Sequence, residues 1–140
     1  MIYAEQDLAV LNWASDILKV KFDYKQCAWI ANLSDDCDIL GAVVYTRFSP
    51  WNCEMSVASA SPKWATRKFL KVAFGYPFEQ MELKRVTAAV EPDNINSIDM
   101  LERLGFVQEA TLSEWFGDKD ALIYRMKRKD CKWLNTRLMA

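Results

Sequence analysis

Proton transfer in this chain falls to carboxylates, tyrosines, thiols, lysines or water, because its 140 residues include no histidine. Serine-histidine and cysteine-histidine nucleophilic sites cannot be assembled within it, nor can histidine-ligated zinc. Cys27, Cys37, Cys53 and Cys131 are irregularly spaced and form no Cys-x-x-Cys pair, so they read as buried or incidental thiols in a reducing compartment, and no metal site is expected. Glu54, in the β-rich run Asn-Cys-Glu-Met-Ser-Val, is a carboxylate able to act as a general base or to face solvent from a half-exposed strand. Tyr124, in the last apolar run, could donate a proton or be a buried aromatic with a satisfied hydroxyl. Lys63, Arg67 and Lys68 stand at the head of an apolar helix, as anion ligands or as exposed basic residues. Glu109, Glu114, Asp118 and Asp120 surround Trp115-Phe116, where acidic groups would draw in a cation or simply keep a turn hydrated.

The elements that must hold these residues follow from periodicity. Residues 7–19 place Leu8, Leu11 and Leu18 on one helical stripe with Val10 and Ile17 beside it. Residues 25–33, 39–48 and 52–60 read as strands of an antiparallel meander, the first two joined by Ser34-Asp35-Asp36. Ser61-Pro62 has the chemistry of a helix start, and the spacing predicts a helix over 64–81 with an inward stripe of Phe69, Val72, Ala73 and Phe78, kinked or stopped at Pro77. Residues 85–90 are a buried strand, and 94–104 carry Ile98, Leu101 and Leu104 on one helical face closed by Gly105. Residues 106–112 and 121–126 are strands flanking a turn at Gly117-Asp118.

Composition fits one domain spanning 1–140: 51% hydrophobic and 13% aromatic residues suffice for a single core. A net charge of −1 gives no general pull toward nucleic acid or membrane, and the basic run 125–132 reads as a solvated strand end and tail. Without an apolar stretch of spanning length or a signal-peptide pattern, a soluble, cytoplasmic protein is expected.

Residues 85–126 resemble the second half of the GNAT superfamily of acyl-CoA N-acyltransferases through Asn94, Ser97, Leu101-Glu102-Arg103-Leu104-Gly105-Phe106, Glu109 and Asp120. The pattern is most similar to the branch that acetylates ribosomal-protein N termini and to small phage acetyltransferase-like proteins. It extends more loosely from Gln26 onward. The resemblance implies an α/β GNAT fold, a mixed, mostly antiparallel sheet flanked by helices, here with a shortened N-terminal region. Residues 1–24 stand where relatives have a strand and two helices. In the family that region walls the acceptor site, so a protein acceptor's surface or a second subunit of a homodimer could complete it.

The resemblance also implies acetyl-CoA as cofactor and a primary amine, on a protein or a small molecule, as acceptor. The pantetheine arm would lie between the strands at 52–60 and 85–91, which splay at a bulge in the family, and bond the backbone near Val57 and Ala58 as an added strand would. Asn94 is then a cofactor contact or a helix cap, and Ser97 a contact or a surface hydroxyl. The pyrophosphate motif departs from the family: its glycine and neighbouring positions hold Ala65, Lys68 and Leu70, so Arg67 and Lys68 would bind phosphate by charge. Glu54 stands where the family places a glutamate facing the acceptor, and it is the implied base. The family's tyrosine acid is replaced by Leu101, leaving Tyr124, Ser97 or water. Trp51, Trp115 and Glu114 would border the acceptor entrance. The alternative is a GNAT-fold interaction protein that has lost acyl transfer.

Overall fold

In a computed structural model describing residues 1–134, every anticipated helix and strand is present, and short N-terminal pairing adds one more strand. The strands are β1 (Ile2–Tyr3), β2 (Ala28–Leu33), β3 (Ile39–Thr46), β4 (Asn52–Ser59), β5 (Arg85–Val90), β6 (Val107–Leu112) and β7 (Ala121–Lys127). The helices are α1 (Leu8–Leu18), α2 (Arg67–Gly75) and α3 (Ile95–Leu104). The sheet order is β1-β2-β3-β4-β5-β7-β6, with β4 and β5 parallel and all other neighbours antiparallel. Among the described residues no helix is long and apolar enough to cross a membrane.

Strand alternation sends side chains to two apolar layers. Cys53 and Met55 of β4, Val86 and Ala88 of β5, and Tyr124 and Met126 of β7 meet α2 and α3 in the larger one. Trp29, Ala31, Val44 and Ala58 meet α1 in the smaller one. Asp7 caps α1 by accepting from the Ala9 amide at 2.9 Å, and Lys19 ends it in the left-handed region at φ 55°. The buried stripe of α1 is Val10, Leu11 and Ala14, whereas Leu8 and Ile17 are exposed. Small Ala14, fully buried, lets the helix approach the sheet and turns the expected leucine stripe partly outward.

The expected helix over 64–81 is divided into three. Ser61 caps a single 3-10 turn, Pro62–Trp64; Thr66 then caps α2, its hydroxyl accepting from the Phe69 amide at 3.1 Å. Beyond Gly75, Pro77 withholds an N–H, and the chain widens into a π turn, Tyr76–Gln80, closed by Met81 N–H to the Tyr76 carbonyl at 3.0 Å. Trp64 anchors the connection between β4 and α2. Its ring lies over Gly41, and the Asn32 side-chain amide donates to its buried carbonyl at 2.8 Å. Asn32→Leu would strand that carbonyl, and an urea titration should show a loss of about 1–3 kcal/mol. An unchanged midpoint would mean water replaces the amide.

Candidate active site

The pairing of β4 with β5 is short. It runs through Asn52↔Arg85, Cys53↔Val86 and Glu54↔Thr87 and then stops. Beyond that point β4 continues along β3 to Ser59↔Gly41, and β5 continues along β7 to Val90↔Leu122. The two strands therefore fork, each presenting an unpaired backbone edge to the other. Pairing of β3 with β4 keeps its register throughout, so the splay arises without the anticipated bulge on that side.

The fork opens into a cleft of about 720 Å³. Met55, Ser56 and Val57 line it from β4, Ala88, Ala89 and Val90 from β5, and Asn94, Ser97 and Met100 from the start and middle of α3. On the α1 side its wall is the segment from Ile17 to Asp23 with Gln26 and Cys27, and Trp115-Phe116 of the β6–β7 hairpin stand at its mouth. Since α3 and α1 lie on opposite faces of the sheet, the cleft passes through the sheet at the fork.

Glu54 sits at the vertex, where pairing ends, and its parity on β4 with Ala58 turns it to the α1 face. Its carboxylate meets the Arg47 guanidinium at 3.3 Å, and that guanidinium lies 5.8 Å from the Trp115 ring centroid. Arg47 ends β3 with a left-handed φ of 52°, which stops the strand short of the expected residue 48 and aims the side chain back across the vertex. The sequence gives no periodic or motif signal for Arg47. Its side chain is 68% exposed, so the ion pair contributes little stability and exchanges easily with another cation. On the opposite face of β4, burial and then the Glu54 charge push the Cys53 thiol up to about 12, so it stays protonated and inert at neutral pH.

Asn94 caps α3, its Oδ1 accepting from the Ser97 amide at 3.3 Å, and it also lines the cleft. Val57 lines the cleft, whereas the side chain of Ala58 is buried toward α1, so only its backbone belongs to the β4 edge. Lys119 on the hairpin bonds Asp93 at 2.8 Å and lies 3.6 Å from Glu91, tying the hairpin to the β5–α3 connection. Hydrogen bonding to Lys119 and its charge lower the Asp93 carboxyl, and the same contact raises Lys119.

Arg67 and Lys68 occupy the first turn of α2, where backbone N–H groups lack intrahelical acceptors and no acidic side chain is present. Two cations beside the positive end of a helix are mutually unfavourable, and an anion would relieve both. They are exposed and outside the cleft lining.

Three expected site residues stand elsewhere. Tyr124 is buried in the larger apolar layer, paired with Ala88 across β5, and its phenol is raised by burial and by Glu102. It does not line the cleft, because its strand parity directs it under α3. Trp51 lies at the closed end of β4, where its carbonyl accepts from the Lys84 and Arg85 amides at 2.9 and 3.1 Å. It is therefore not a lip of the open end. Glu114 adjoins Trp115 but does not line the cleft; its backbone has a left-handed φ of 54°, and its amide donates to Asp120 Oδ1 at 2.9 Å.

The sequence matches the Acetyltransferase (GNAT) domain over residues 4–107. The chain belongs to the GNAT acetyltransferases. The family draws its acetyl group from acetyl-CoA in general. Among solved structures, this GNAT chain is similar to a chimera of the Vibrio cholerae spermidine N-acetyltransferase SpeG with hSSAT, at TM-score 0.75 and 16% identity over 96% of this chain and 98% of that one. The dodecameric Vibrio cholerae spermidine N-acetyltransferase in an intermediate state gives 0.72 and 15%, over 98% and 97%. At such identities the likeness concerns the fold. A search of curated proteins finds no match.

Proposed function

We propose that this GNAT protein is an acetyl-CoA-dependent N-acetyltransferase that moves the acetyl group directly to a primary amine. The observation that carries the reading is the fork of β4 from β5 with Glu54 at its vertex. Acetyl-CoA supplies an activated thioester. The unpaired edges at 55–59 and 88–90 suit its extended amide-bearing arm, as an added strand would, and the α2 start with Arg67 and Lys68 suits its pyrophosphate. Because α2 and α3 share one face, the cofactor occupies that face and the amine arrives from the α1 face, where Glu54 points.

Glu54 accepts the ammonium proton, directly or through one water, giving the neutral amine that attacks the carbonyl. As the carbon–sulfur bond breaks, the nitrogen gives up its second proton and the departing thiolate gains one, relayed through the Ser97 hydroxyl or water, so that the hydroxyl is restored; Tyr124 is left out by its position. The resemblance to the ribosomal-protein branch supports a peptide amine, and the spermidine enzymes among the structural neighbours support a small one. Free Cys27, Cys37, Cys53 and Cys131 suit a reducing, cytoplasmic setting.

Calorimetric titration with acetyl-CoA tests the reading. Saturable micromolar binding is expected, weakened at least tenfold in Arg67→Ala/Lys68→Ala. No heat at millimolar ligand would sink the acetyltransferase and leave a GNAT-fold interaction module.

A further inference from the structure

We infer that the acceptor is a primary amine carried on an apolar group of aromatic size, with no second cation. This rests on the acetyltransferase reading and concerns the α1 side of the same cleft. Ile17, Val20, Phe22, Trp115 and Phe116 line that approach, and Val20, Trp115 and Phe116 are 47%, 49% and 41% exposed although large and apolar. Apolar side chains left wet around a reactive vertex are stabilised when an apolar ligand body covers them.

The charges on this wall argue against a polyamine. Lys19, Lys21 and Arg47 line it on the positive side, Asp23, Glu54 and Glu91 on the negative. Glu91 is paired with Lys119 at 3.6 Å, and Asp23 is engaged in capping its own turn by accepting from the Lys25 amide at 3.1 Å. Of these carboxylates Glu54 is the one at the fork vertex, where the thioester is proposed to react, and its ion pair with Arg47 is weak and exposed. Arg47, between Glu54 and the Trp115 ring, already occupies a cation's seat: a carboxylate on one side and an aromatic face on the other. One ammonium can displace it. A second ammonium farther along the ligand would meet Lys19 and Lys21, and repulsion there lowers its affinity.

The test compares kcat/KM at low ionic strength for phenethylamine, a C-terminally amidated peptide beginning with phenylalanine, and spermidine. At least one apolar monoamine is expected to exceed spermidine tenfold, and whichever does so identifies a free amine or a peptide terminus as the source. Lys19→Glu/Lys21→Glu should shrink that ratio about tenfold while the calorimetric acetyl-CoA affinity stays unchanged. A preference for spermidine in the unaltered protein would overturn the inference and leave acetyl transfer standing. Acetylation of none of the three, with acetyl-CoA bound, would count against both. Light scattering supplies the remaining arm: a dimer abolished by Trp115→Ser would assign the apolar lip to a second copy and overturn the inference.

Discussion

Replacing Glu54 with glutamine is expected to lower kcat by about 10²–10⁴-fold and to leave the acetyl-CoA dissociation constant unchanged. Glutamine keeps the shape of the side chain and can still accept a hydrogen bond, but it cannot take the ammonium proton. The structural cost should be small, since the only ion pair lost among the described residues is with the largely exposed Arg47. The pH profile separates a base from a merely structural carboxylate. An alkylamine with a pKa of about 10 gains neutral form nearly tenfold per pH unit below that value. Turnover by the glutamine variant should therefore rise with pH and approach that of the parent protein at alkaline pH. A structural defect would lower the rate by the same factor throughout. Unchanged kcat at neutral pH would remove Glu54 from the base role.

Local chemistry made most of the elements legible. Residues 85–90 and 95–104 form the anticipated strand and helix because apolar periodicity, the Asn94 cap and the left-handed Gly105 all agree. The helix after β4 was less legible: Ser61-Pro62 and Thr66 are both good caps, and the first opens only a 3-10 turn while the second opens the α-helix. At the site, strand parity distinguishes Glu54 from Tyr124. Parity depends on which layer each strand covers, which is a tertiary property. The fork was expected only through the family resemblance; periodicity carries no sign of it, because it is set by where β5 leaves β4 to follow β7. Arg47 was illegible altogether: its role comes from an unusual backbone angle and from two partners, Glu54 and Trp115, that are distant along the chain.

The proposed cofactor end of the site is braced by a packing contact between Gly41 and Trp64. A Cβ at Gly41 would stand 2.6 Å from the Trp64 Cβ and 3.3 Å from the Ala58 carbonyl oxygen, distances that neither a side-chain root nor a strand backbone can relieve by rotation. Gly41→Ala should therefore push Trp64 outward and cost about 1–3 kcal/mol, as overpacked cores do. For a domain of this size that corresponds to a fall in Tm of roughly 3–4 °C per kcal/mol. The consequence reaches function because Trp64 is joined through Ala65 and Thr66 to the first turn of α2, where Arg67 and Lys68 are proposed to hold the pyrophosphate. This chain lacks glycines between Gly41 and Gly75, so the connection owes its shape to the Trp64 anchor and to the Asn32 bond rather than to a permissive backbone. Weaker acetyl-CoA binding should accompany the lower Tm, and a cycle with Trp64→Gly should be non-additive, the second substitution recovering part of the loss by removing the Cβ and Cγ that the new methyl meets. Additive losses would show that Gly41 and Trp64 act independently, and an unaltered acetyl-CoA affinity would disconnect the anchor from the phosphate site.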